Sequence, residues 1–155
     1  MRRLLTVAAT AVALSIPASA AALGVVQAGP AAAASGVSCG SLKGTVTGTI
    51  TVKACTPSGG KGYKSATAPA SSLASGGNLT WSTSGATTTV SLSVTSAGQG
   101  GCAKGYTEYD GTGSVTAAST SGAGIPAVGD AVSARACVST AKNKITLVKG
   151  TRIAL

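Results

Sequence analysis

Histidine and phenylalanine are absent from this 155-residue chain, tryptophan occurs once, and acids number three against twelve Lys and Arg. Without histidine the commonest general base and the commonest neutral-pH metal ligand are missing, and Ser-His-Asp and Cys-His arrangements are excluded. With no Phe, the apolar content rests on Ala, Val and a few larger aliphatics, which bury little area each. A core built that way needs crosslinks. Four cysteines are present, Cys39, Cys55, Cys102 and Cys137, with no C-x-x-C spacing, so disulfides are expected and a metal is not.

The amino end supplies the compartment. Arg2 and Arg3 precede an uncharged apolar run from Leu4 to Ile16, then Pro17 and the small-residue sites Ala18-Ser19-Ala20 and Ala32-Ala33-Ala34. That pattern describes a secretory signal peptide, too short in its apolar part for a permanent anchor. The expected division is residues 1–34 as a removed leader and 35–155 as one secreted domain, extracellular or associated with the cell wall, with no stable membrane insertion. Cys39 follows Gly36-Val37-Ser38, which lacks the Leu-like residue of a lipoprotein site.

Period-two alternation is the dominant pattern after the leader. Thr45 to Cys55 sets Val46, Gly48, Ile50, Val52 and Ala54 against threonines and Lys53, the mark of a half-buried antiparallel strand. The same period returns at Thr87–Thr95, Gly113–Ala117, Val128–Val138 and Lys144–Lys149, with Leu79–Thr83 as a short strand and Tyr106–Asp110 as a further piece interrupted at Gly111. Seven or eight short strands without helical periodicity predict an all-β fold, an immunoglobulin-like antiparallel sandwich or a partly open barrel, with two disulfides. Trp81 is expected at its centre. Thr56 to Gly77 reads as a long exposed loop.

Pairing of the cysteines stays open. An unbroken strand from Thr45 to Cys55 spans roughly 33 Å, more than Cys39 can retrace, so both bridges are then long-range; a Cys39–Cys55 bridge requires the chain to bend at Gly48. The first alternative is the favoured expectation.

Candidate sites are few. Tyr63, Tyr106 and Tyr109, interleaved with Lys61, Lys64 and Lys104, form a binding patch for an anionic wall polymer or glycan if their two loops meet at one end of the domain. Glu108 and Asp110 share a strand face at about 7 Å, but nothing around them implies a glycan cleft, and they are expected to meet nearby lysines at a strand end. EYDGTG is too short for a recognised calcium loop. SAGQGGCAKG fails the phosphate-loop pattern and no nucleotide is expected. No catalytic residue, metal or cofactor emerges, and a net charge of +9 favours anionic partners. The expectation is a secreted non-enzymatic structural or surface-interaction protein. The alternatives are a module binding an anionic polymer or glycan, and an extracellular protease inhibitor presenting Thr56–Gly77.

The GYTEYDGTGSVTA and VGDAVSARACVSTAKNKITLVKGT segments, with the Ala-rich leader, resemble the small secreted proteins of Streptomyces-type actinobacteria, which implies location rather than activity. In architecture the chain is also similar to the neocarzinostatin family of four-cysteine sandwiches. There the cysteines form two close pairs and the surface is acidic; here they are spread and the surface is basic, so no binding residue is carried over.

Overall fold

The computed structural model describes residues 36–155 except 57–62, 83 and 123. Nine strands follow one another: β1 (Ser38–Gly44), β2 (Thr49–Thr56), β3 (Ser65–Pro69), β4 (Gly76–Trp81), β5 (Thr87–Ser96), β6 (Thr107–Ala118), β7 (Ala131–Ser139), β8 (Lys144–Leu147) and β9 (Ile153–Ala154). A single helical turn, α1 (Ser72–Ser75), joins β3 to β4. All pairings are antiparallel, and the order β2-β3-β4-β5-β6-β7-β8-β1 returns to β2 through the β1–β2 ladder. Eight strands thus close a barrel and β9 is additional, so among the described residues the ring has no terminal edge strand.

The ninth strand occupies a shared place. Strand β7 pairs with β8 from Ala136 to Ser139 and with β9 at Ser133, while β1 pairs with β8 at Lys43 and Gly44 and with β9 at Ser38 and Cys39. Strands β8 and β9 are therefore one wall position broken by residues 148–152; the Val148 amide still donates to the Arg135 carbonyl of β7 at 3.0 Å before the chain leaves the ladder and returns.

The chain between Cys39 and Cys55 folds differently from the expectation of one straight strand. Residues 45–48 form a turn, so β1 and β2 are the two arms of a hairpin and Cys39 lies directly opposite Cys55, 3.9 Å away at Cα. Gly44 allows the tight closure, since a Cβ there would stand 2.7 Å from the Ile50 Cα. The favoured pair of long-range bridges is corrected accordingly: the disulfides are Cys39–Cys55, 16 residues apart, and Cys102–Cys137, 35 apart. Ala54 is not on the apolar face. It is exposed at φ 55°, and this left-handed residue resets the alternation so that Cys55, next along, turns inward beside Val52 and Ile50.

Three further expectations change. Strand β6 is not interrupted at Gly111, which pairs with Val94 on one side and Ala134 on the other. Thr56–Gly77 is not one loop: β3 within it is an inner strand bonded to β2 and β4. Strands β1 and β9, which lack any alternating pattern, complete the ring.

Inward-facing side chains fill one end of the barrel. Trp81 is fully buried and donates from Nε1 to the Thr88 hydroxyl at 2.9 Å, with Val90, Val115 and Val132 on neighbouring strands. Tyr63 closes this end: its ring packs 5.1 Å from the Trp81 ring and its hydroxyl bonds that of Thr120.

Candidate functional site

The other end is open. Along β5 the inward row Val90, Leu92, Val94 passes from buried to half-buried, and facing positions on β6 and β7 are small, with Gly111 against Ala134 and Ala136 opposite Tyr109. Glycine and alanine there cannot fill the space that Trp81 fills below. A cavity of about 740 Å³ results. Leu92, Val94, Ala134, Ala136, Val138 and Ile145 form its wall, and its rim is the β1–β2 turn from Val46 to Gly48 and the segment Pro69–Ala74 carrying Leu73. The rim is tied at one side by the Val46 amide, which donates to the Asn143 side chain at 2.9 Å.

Among the described residues no Lys, Arg, Asp or Glu lines the cavity. The lining residues with polar side chains are Tyr109, Thr47, Ser71 and Thr140, all of them uncharged hydroxyl bearers. An ion placed inside would lose its hydration without a partner, whereas an uncharged apolar molecule would gain by burial. Volumes of about 300–1,000 Å³ suit drug-sized ligands, and barrels of this strand number hold one small molecule at most.

Outside the wall, the loop from Ala97 to Tyr106 is folded back on β6 and β7. The Cys102–Cys137 bridge pins it, and Val148 and half-buried Tyr106 pack on the sulfurs. The Glu108 carboxylate lies beneath it, with no exposed surface, accepting from the Gly101 amide at 2.5 Å and from Arg135 Nε at 2.7 Å. Gly100 is required above it: its φ is 48°, and a Cβ would collide with that carboxylate. The Gly101 amide holds the Glu108 carboxyl below the usual carboxylate range; burial opposes this and Arg135 reinforces it. Asp110 adds a 3.3 Å contact to the same guanidinium. The two acids thus share a face, and their partner is Arg135 instead of a lysine. One carboxylate oxygen of Glu108 holds the loop through the Gly101 amide and the other holds Arg135 on β7, so this pair is a clamp.

The six residues expected to make one binding patch are distributed. Tyr63 is core at the closed end, and Tyr109 is 37% exposed at the mouth of the cavity at the opposite end. Tyr106 lies on the outer wall with the Lys142 ammonium 4.9 Å over its ring. Lys104 is exposed beside Tyr106, Lys64 is exposed beside Tyr63, and Lys61 lies outside the described residues. Tyr109 alone joins the cavity. Sequence reasoning identified the wall residues only as apolar faces of strands; that their small members oppose one another appears only in the register.

No protein-family profile, curated protein or solved structure matches the chain.

Proposed function

We propose that this is an exported, non-enzymatic binding protein that holds a small, uncharged, largely apolar molecule in the open end of its barrel. The observation that carries this reading is the charge-free cavity of about 740 Å³, walled by aliphatic side chains left half-exposed although the opposite end of the same barrel is filled. Leaving Leu92, Val94 and Val138 in contact with water is unfavourable, and a ligand that covers them recovers about 25 cal/mol per Å². The closed ladder acts in this reading as a rigid barrel rather than as two sliding layers. Its disulfides suit the oxidising exterior that the leader implies. The Tyr109 hydroxyl is placed to orient a single polar atom of the ligand near the mouth.

A ligand of about 20 non-hydrogen atoms at about 0.3 kcal/mol each would bind with a Kd of tens of micromolar. Titration of the purified protein with an uncharged environment-sensitive fluorophore tests the reading. Saturable binding is expected, competed by neutral apolar molecules and weakened at least about tenfold in both Ala134→Leu and Gly111→Val, which fill the wall. A Cβ on Gly111 has room, with its nearest neighbours 3.8 and 3.9 Å away, and unchanged far-ultraviolet circular dichroism is the control that each variant keeps the fold. Equal binding by all three proteins would refute it.

A further inference from the structure

A second site lies on the outside of the wall, where the β8–β9 position is broken. Residues 148–152 swing away from β1, and between the pairs Lys43–Thr146 and Cys39–Ile153 the ladder is open on that side. A cleft of about 220 Å³ occupies the gap, lined by Gly40–Lys43 and by Thr146–Thr151.

The register gathers cations around it. Leu42, Ile50 and Val52 face inward, so Ser41 and Lys43 face outward, with Lys53 opposite Ser41 and Thr51 and Thr146 opposite Lys43. Lys149 stands on the far lip, and Lys43, Lys53 and Lys149 are all exposed. Lys43 and Lys53 are diagonal neighbours on adjacent strands, a spacing of roughly 7–8 Å at which two ammonium groups repel unless something negative lies between them. The protein supplies nothing negative there. Its three acids are all described: Glu108 and Asp110 are held by Arg135, and Asp130 accepts from the Ala127 amide at 2.8 Å. Among the described residues the ion pairs are those of Arg135 alone.

We infer that this cleft binds a phosphate-bearing anion, with Lys43 and Lys149 on its lips supplying charge, Lys53 on the adjoining strand adding to the field, and the hydroxyls of Ser41 and Thr146 supplying hydrogen bonds. Ammonium groups on the two lips of a cleft roomy enough for a phosphate group with its first waters suit that anion, whose several acceptor oxygens can be met from both sides; planar carboxylate is better served by the fork of an arginine. The site is independent of the barrel cavity and lies on its outer surface, so both can be occupied together.

The test uses amide chemical-shift mapping and titration with two probes, inorganic phosphate and a short poly(glycerol phosphate). Shifts are expected at Gly40, Leu42, Lys43 and Thr146, with affinity falling at least about tenfold in the triple variant K43Q/K53Q/K149Q and unchanged in K64Q. These side chains are exposed, so the variants fold. Saturation by inorganic phosphate places the specificity in a single anion, and saturation by the oligomer alone places it in a phosphodiester polymer; either supports the assignment. Shifts spread over all lysines, equal loss in K64Q, or unchanged affinity in the triple variant would overturn it. Binding of the uncharged fluorophore is unaffected by the triple variant, which separates this site from the barrel cavity.

Discussion

Removing each disulfide in turn measures how far crosslinking offsets the small-residue core. Cys39–Cys55 closes a loop of 16 residues and Cys102–Cys137 one of 35. The entropy that such loops withhold from the unfolded chain amounts to about 3 and about 4 kcal/mol. Sulfur removal adds a cavity cost of about 1 kcal/mol, felt more at Cys39, which has no exposed surface. Small domains have only about 5–15 kcal/mol in total, so either double alanine variant is expected to lose a large fraction of its stability. The assay is urea denaturation followed by the fluorescence of Trp81, the only tryptophan and a reporter of the closed end. Cys102→Ala/Cys137→Ala is expected to keep a native folded baseline, because that bridge joins an outer loop to the wall and leaves the ring of ladders intact. Cys39→Ala/Cys55→Ala removes a buried contact between two wall strands. Losses below about 1 kcal/mol in both variants would refute the reasoning, since the aliphatic core would then be sufficient alone.

Three shorter predictions follow from the same geometry. Glu108→Gln is expected to lower the melting temperature at neutral pH. Because the folded-state pKa of Glu108 is depressed, its contribution is present above the ordinary carboxylate pKa and is lost as pH falls through the lower folded value. The two proteins should therefore converge in acid, and a gap that stays constant with pH would refute the role of the charge. Ala54→Val is expected to destabilise by about 1–2 kcal/mol, because a β-branched residue is forced to φ 55°; a neutral result in denaturant melts would mean that the strand can reset its phase elsewhere. Tyr63→Phe removes the hydroxyl bonded to Thr120 while keeping the ring on Trp81, and a loss of about 1 kcal/mol is expected, with no effect on ligand binding at the far end.

Much of the wall was legible from alternation. Thr87–Thr95 and the stretch from Val132 to Val138 form β5 and β7 with their apolar residues inward, because there the two-residue period is long and unbroken. Thr45–Gly48 misled because TVTG obeys the same period while forming a turn: local pattern could not show that Gly44 lets the arms close there. Strand β1, SCGSLKG, carries no alternation at all and is held by neighbours on both sides, which is tertiary information. The site was less legible than the fold. Tyrosines and lysines near one another in sequence looked like a patch, yet Tyr63 and Tyr109 went to opposite ends because β2–β3 and β5–β6 connect at opposite ends of the barrel. The cavity is an absence of bulk at Gly111, Ala134 and Ala136, visible only when registers bring them face to face. The clamp under the Ala97–Tyr106 loop was half visible, since Glu108 and Asp110 were placed on one face and their arginine lies 25 residues or more downstream.

The reading rests on the open end of the barrel being a receptor. The most direct measurement is amide and methyl chemical-shift mapping of the purified protein as it is titrated with an uncharged apolar fluorophore. Saturable shifts are predicted at Leu92, Val94, Tyr109, Ala134, Ala136 and Val138, with Trp81, Tyr63 and Val115 unmoved. Shifts confined to the closed end or the outer loop, or no saturable shifts with any neutral apolar probe, would contradict it.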